Sequence, residues 1–499
     1  MNIANNLKST AFHFPDQVAL IDETRQLTYS QLNTQANQIA SLLRGLLVSP
    51  NDHVAICAPN SCSWIAFYFG ILKTGAVAVT LPYSMTKYEL TPVLEDCKPK
   101  ILFTDTAKLP DVGKKSYLLH TITDLGDTRY STLLSKDCDL LDSTEREPDD
   151  TAAILYTGGT TGIPKGVMLT HWNIMTSAFN VARNERSSET DRALCFLPLN
   201  HVFAQIHIMH STLLSGGGLI IQASFNMTAF LDAITKLNVT KLYSVPTVYT
   251  RLLSLTDLKE KLKPVRYCFS AAASMAKEVV REWKAQTGLD IFEAYGMTES
   301  ASMVTYNHYY QHVVGSVGTP ANGVEIQIRD KEGNNLGKNQ EGEICIAGPN
   351  IMKGYLNRPE DTQKAFWGRW FRSGDVGFIN DQSYLYIIDR IKELIITGGE
   401  NVSPREVEEV LYERHEIEEC AVIGLPDKDY GERVVAYIVP RQGKKIDPVA
   451  LKAYLKIHLS SFKVPKEFIL VSDLPKSSSG KLLKRTLKDQ VLNGTAYSR

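Results

Sequence analysis

Residues 27–47, LTYSQLNTQANQIASLLRGLL, place apolar side chains at helical spacing and predict an amphipathic helix. Two short β-rich runs, HVAICAPN (53–60) and AVAVTLPYS (76–84), end in turn residues and flank an apolar helical stretch, SWIAFYFGILKTG (63–75). Strand and helix alternate in this way to about residue 320, the pattern of an α/β fold with largely parallel sheets. TAAILYTGG (151–159) reads as a short buried strand running into glycines, and the text at 236–246 and 265–273 supplies further strands. From about residue 322 the period changes. GVEIQIRDKEGNNLGKNQEGEICIAG (323–348) alternates apolar and polar residues and breaks at Gly and Asn, which predicts hairpins and antiparallel sheet. FRSGDVGFINDQSYLYIIDR (371–390) continues it, and residues 405–427 read as a helix followed by a strand. A compact α+β domain is expected over about 390–499, and the acidic text at 137–150 is expected as a solvated loop.

Composition narrows the class. Hydrophobic content is 43% and charged content 22%, ordinary for a globular protein, and no window approaches the ~20 apolar residues of a membrane span. A formal net charge of -1 gives no electrostatic reason for nucleic-acid or anionic-membrane binding. The eight cysteines, at 57, 62, 97, 138, 195, 268, 345 and 420, form no CxxC pair and are expected as buried reduced thiols of a cytoplasmic protein. The N-terminal text lacks the basic start and apolar run of a secretory signal.

Candidate chemistry begins at YTGGTTGIPKG (156–166). Gly158, Gly159, Gly162 and Gly166 let backbone N–H groups approach an anion without an intervening Cβ, Thr160 and Thr161 add hydroxyl donors, and Lys165 adds a positive charge. Pro164 keeps Ile163 out of the helical region. The order Pro164-Lys165-Gly166 is not that of a Walker A loop. Taken alone, the stretch is equally a glycine turn between strand and helix.

Six strings occur in a fixed order: YTGGTTGIPKGVMLTH, LPLNHVFAQ, YGMTES, FRSGDVG, DRIKELIITGGENVSPREVE and PKSSSGKLLK. Together they resemble the adenylate-forming superfamily of acyl-CoA synthetases, luciferases and adenylation domains, most nearly fatty-acyl-CoA and 4-coumarate-type ligases, over essentially the whole chain. The resemblance implies a large N-terminal domain of α/β layers with a distorted β-barrel (1–388), a hinge (389–392) and a small mobile α+β domain (393–499). It implies two steps: a carboxylate attacks the α-phosphorus of MgATP to give an acyl adenylate and pyrophosphate, and coenzyme A then displaces AMP.

The resemblance also assigns roles. Lys481 matches the adenylation lysine, a cation that offsets repulsion between carboxylate and α-phosphate. Otherwise it is a solvated lysine. Glu299 matches the Mg²⁺ ligand, a hard oxygen donor, with Thr298 on the α-phosphate and Tyr295 stacked on adenine. Asp375 would accept from both ribose hydroxyls and Arg390 would touch the nucleotide, with Thr157, Gly158, Gly159, Thr160, Thr161, Gly162, Lys165, Ala273 and Gly296 completing that site. His201, Phe203, His207, Ala272, Ala294 and Gly296 map to the acyl pocket. Asp389 or Lys392 would absorb the domain rotation, and the loop TGGENVSP (397–404), with Gly398, Gly399, Glu400 and Asn401, would swing in to face coenzyme A in the second step.

Three departures bear on substrate. Gly158 stands where a serine is common, Asn200 replaces a common phenylalanine, and Ile396 stands where plant 4-coumarate ligases carry a lysine. Amino-acid-activating domains carry an aspartate just after LPLNH, where this chain has Val202-Phe203-Ala204, and a buried ammonium without a counter-ion costs several kcal/mol as an order of magnitude. An apolar acid follows, a medium- or long-chain fatty acid ahead of an aryl acid. The acceptor is free coenzyme A or a separate carrier protein, since only 18 residues follow Lys481 (499 - 481 = 18). A non-catalytic nucleotide-binding relative, or a kinase releasing ADP, are the readings of another class. The oligomeric state is not legible in the sequence.

Overall fold

The computed structural model describes residues 1–105, 107–112, 118–121, 142–157, 164–271, 275–477 and 482–494. Two seven-stranded sheets dominate. In the first, Ile291–Glu293, Tyr267–Ser270, Lys241–Ser244, Arg192–Cys195, Gly218–Ile221 and Val18–Ile21 run parallel, with Gln26–Thr28 antiparallel at the edge. In the second, Thr151–Thr157, Val77–Thr80, His53–Cys57, Ile101–Thr104 and Leu118–Thr121 run parallel, while Lys165–Thr170 and Gly354–Tyr355 are antiparallel additions.

The predicted helix at 27–47 is Tyr29–Gly45. It starts where Thr28 accepts from the Gln31 N–H at 3.3 Å and Gln31 accepts from the Thr28 N–H at 2.9 Å, a reciprocal cap. It packs on Cys62–Lys73, whose twelve residues are all buried. The two helices touch closely: a Cβ on Gly70 would lie 2.5 Å from an Ile39 methyl, so no larger residue fits there without a shift.

The antiparallel texture after residue 322 is an open five-stranded sheet of Glu325–Arg329, Gly342–Ala347, Trp370–Ile379, Leu385–Arg390 and Phe366–Trp367. No closed barrel forms among the described residues, because the edge strand Phe366–Trp367 is only two residues long and pairs on one side. A second sheet follows, ordered Glu400–Val402, Ile395–Thr397, Gly431–Pro440 and Ile417–Asp427, with Glu467–Leu470 parallel to Gly431–Pro440. Residues 397–404, expected as a loop, are instead mostly a hairpin. Gly398 (φ 60°) and Gly399 (φ 85°) take the left-handed conformations that a two-residue hairpin turn requires.

The main hydrophobic core reaches to Leu385 and Ile387, and a separate core starts at Ile395, so the C-terminal domain buries its own apolar surface. Seven cysteines are buried free thiols, as expected, and Cys138 lies outside the described residues. No helix among the described residues is long and apolar enough to cross a membrane.

Candidate active site

A cavity of about 750 Å³ opens between the two domains. Its floor comes from strand ends of the first sheet. Strand Ile291–Glu293 runs into Ala294, Tyr295 and Gly296, which lead to the short helix Thr298–Ser300. Gly296 admits no side chain, since a Cβ there would sit 1.6 Å from the Ser302 carbonyl oxygen.

Tyr295, Asp375 and Arg390 form one cluster. Asp375 and Arg390 face each other across neighbouring strands, and the Arg390 Nε lies 3.3 Å from the Asp375 carboxylate. The Tyr295 hydroxyl donates to the other carboxylate oxygen. Asp375 is 6% exposed, and burial together with this carboxylate pushes the Tyr295 phenol well above its usual range. The phenol therefore stays a neutral donor.

Thr298 and Glu299 lie beside this cluster in the same cavity. Burial raises the Glu299 carboxyl, and the Tyr355 hydroxyl donates to it at 2.9 Å. Lys165 sits 5.0 Å from the centre of the Tyr355 ring and pairs with Asp361 at 2.9 Å. Neither Tyr355 nor Asp361 was visible as a site residue in the sequence, because both sit in GYLNRPED, between the motifs that carried the resemblance.

The other wing of the cavity is lined by His201, Phe203, His207, Phe269 and Ala271. Residues 203–210 form a π-helix, a wide turn often associated with functional sites. The His201 ring accepts from the Phe203 N–H at 3.3 Å. His207 binds Glu185 at 2.7 Å, and Glu185 also pairs with Lys241 at 3.1 Å. This buried cluster was missed in the sequence, because its members lie on separate elements.

Asp389 is tied to the C-terminal domain. One carboxylate oxygen accepts from the Ser403 hydroxyl at 2.7 Å and the Arg405 N–H at 3.1 Å, and the other accepts from the Arg390 N–H at 2.8 Å. It thereby supplements Ser403 as a cap for Pro404–Tyr412. Lys392 lines the cavity. Gly398, Gly399, Glu400 and Asn401 are exposed at the hairpin tip and take no part in the lining. Thr157, at the end of its strand, lines the cavity. Gly158, Gly159, Thr160, Thr161, Gly162, Ala272, Ala273 and Lys481 lie outside the described residues. The neighbours of Lys481, Ser477 and Leu482, line the cavity, and a bridge joins Lys476 to Leu482.

A two-domain α/β protein with this cavity at the domain junction has the make-up of an AMP-forming acid–CoA ligase. The chain belongs to the family of AMP-binding enzymes: residues 7–356 match the model "AMP-binding enzyme" and residues 406–481 match "AMP-binding enzyme C-terminal domain". It is 32% identical to an oxalate–CoA ligase of Arabidopsis thaliana over 97% of this chain and 98% of that protein. It is also 32% identical to a long-chain-fatty-acid–CoA ligase of Bacillus subtilis (strain 168), covering 97% and 93% respectively. ATP-bound MatB from Rhodopseudomonas palustris shares the fold with a TM-score of 0.92 at 32% identity, covering 99% of this chain and all of that one (100%). ATP and coenzyme A as substrates fit this family. Relatives at the same identity carry names as different as oxalate and long-chain fatty acid, so family membership leaves the acid open.

Proposed function

We propose that the chain activates a short, largely apolar carboxylic acid with ATP, releases pyrophosphate, and transfers the acyl group from AMP to coenzyme A. The observation that carries this reading is the Tyr295–Asp375–Arg390 cluster, which meets Thr298 and Glu299 at one end of the cavity while His201, Phe203 and His207 line the other. Asp375 accepts from the ribose hydroxyls, with the Tyr295 phenol holding the carboxylate in place as its ring borders adenine. Arg390 and Thr298 contact the phosphate side, and Thr157, with Gly158 to Gly162 and Lys165, cradles the departing phosphates. Ala273 and Gly296 complete the nucleotide wall. Lys481 stabilises charge at the pentavalent phosphorus. Its described neighbours at the cavity rim support that role.

Glu299 would be the protein's ligand for Mg²⁺, which supplies charge neutralisation of the ATP phosphates when bound. A single carboxylate in the cavity wall fits an ion that keeps water and phosphate as its other ligands. Among the described residues no group of three or more His, Cys, Asp or Glu forms a cage of its own.

The acyl group lies against Phe203, His207, Ala294 and Gly296, with His201 at the carboxylate end, and the sequence motif assigns Ala272 to the same pocket. Behind His207 and Phe269 stand Tyr243, Tyr306 and Glu185, all buried and outside the lining. That closed wall favours a short aliphatic or single-ring acid over the medium or long fatty chain preferred from sequence. The hinge is residues 389–392, between the two hydrophobic cores, with Asp389 and Lys392 flexing, and the 398–401 tip faces coenzyme A after rotation. Incubating the protein with ATP, coenzyme A and a panel of carboxylic acids tests the reading. AMP, pyrophosphate and an acyl thioester in equal amounts are expected. ADP, or no nucleotide turnover with any acid, contradicts it.

A further inference from the structure

Glu185 is fully buried and receives four donors. Its Oε1 accepts from His207 Nε2 at 2.7 Å and from the Tyr306 hydroxyl at 2.5 Å, and its Oε2 accepts from Lys241 at 3.1 Å and from the Tyr243 hydroxyl. Burial alone would raise this carboxyl, but Lys241 and the hydrogen-bonding His207 hold it down at about 2. An ionised carboxylate is acceptor-only, with about four lone-pair positions, all engaged here. The nitrogen of His207 that meets it must therefore carry the proton. In the neutral ring the other nitrogen, Nδ1, is then an acceptor.

Nδ1 makes no hydrogen bond among the described residues. His207 is 2% exposed and lines the acyl wing of the cavity. The ring is also held from turning: it lies 4.3 Å from Phe269, centre to centre, and meets Phe203 edge-on at 5.3 Å. A fixed acceptor on the cavity wall loses a hydrogen bond when an acyl group that offers no donor covers it. His201 precedes the π-helix that carries His207, and both side chains line the same wing of the cavity.

We infer that His207 determines specificity by accepting a hydrogen bond from a neutral donor, of the hydroxyl class, at the tail of a short acyl group. The inference rests on the proposed acid–CoA ligase activity. Glu185 sets the tautomer, Lys241 and the two tyrosines keep Glu185 ionised, and Phe203 and Phe269 keep the ring aimed. An acid of the same size without the hydroxyl leaves Nδ1 buried and unpaired, and a site built to bind a hydroxyl rejects such an analogue strongly.

The test uses acids matched in pairs: 4-coumarate with cinnamate, and 6-hydroxyhexanoate with hexanoate. kcat/KM for thioester formation is measured for each on the full-length protein. The hydroxylated member of at least one pair is expected to win by about 10-fold or more. His207→Leu should collapse that ratio towards one. His207→Asn, whose side-chain oxygen takes the place of Nδ1, should retain most of it. The ratio compares two acids on one preparation, so partial unfolding of a variant cancels. Thioester formation without preference within either pair overturns the inference and leaves the ligase reading intact. So does a preference that survives His207→Leu. Absence of AMP with every acid overturns the ligase reading itself, and the inference with it.

Discussion

At the scale of single residues, Asp375 and Glu293 carry contrasting carboxylates. Asp375 is held by Tyr295 and Arg390 and is proposed to bind ribose. Asp375→Ala should raise the ATP requirement by the loss of hydrogen bonds to a charged group, about 1.5–3 kcal/mol, with thermal stability kept. An unchanged KM for ATP would show that it is only a strand residue. Glu293 ends its strand under the domain junction, and burial raises it to about 7, with Arg405 opposing. The Met275 N–H meets one oxygen at 3.3 Å, while the other has no partner among the described residues. A raised carboxyl binds its proton more tightly folded than unfolded. Its contribution is full below the unfolded value near 4.5 and is lost as pH rises towards about 7. Glu293→Gln should therefore gain stability over the parent at pH 8, by up to about 3 kcal/mol, and gain none at pH 4. Denaturant melts at the two pH values check this, and an equal effect at both contradicts it. Asp375 was legible because it stands in a motif, FRSGD. Glu293 stands next to one, and nothing in its spacing distinguishes a buried carboxylate from an exposed strand end.

At the scale of elements, the parallel alternation and the amphipathic helix Tyr29–Gly45 were readable because period and burial agree there. The π-helix 203–210 was not. All eight of its residues are buried, so no polar face marks its turn. The Glu185 cluster was invisible for another reason: its partners lie 22, 56, 58 and 121 residues away. Only the fold brings them together. Lys241→Met should cost about 3–5 kcal/mol, since it leaves Glu185 buried with one cation fewer. Lys236→Met, which breaks an exposed pair with Asp232, should cost no more than about 0.5 kcal/mol. Similar losses in chemical denaturation would mean that the buried cluster does not brace the sheet. The hairpin at 395–402 was read as a loop because its two glycines signal a turn without revealing that the three residues on either side pair.

At the scale of the whole molecule, two separate hydrophobic cores meet over one cavity, and Asp389, at the end of the last strand before the junction, bonds Ser403 and Arg405 beyond it. The change of texture after residue 322 and the second core were legible in the sequence, while the open form of the middle sheet was not, since strand ends alone do not tell an open sheet from a closed one. One cavity is proposed to serve two steps, with the C-terminal domain supplying Lys481 only for the first. The direct measurement is both half-reactions on purified Lys481→Ala. Adenylate formation should fall by about 10²–10³-fold or more, the scale for one transition-state donor. Given a pre-made acyl adenylate and coenzyme A, the same variant should form thioester near the parent rate. Equal loss in both half-reactions, or loss in neither, would contradict the assignment of the lysine and of the rotating domain.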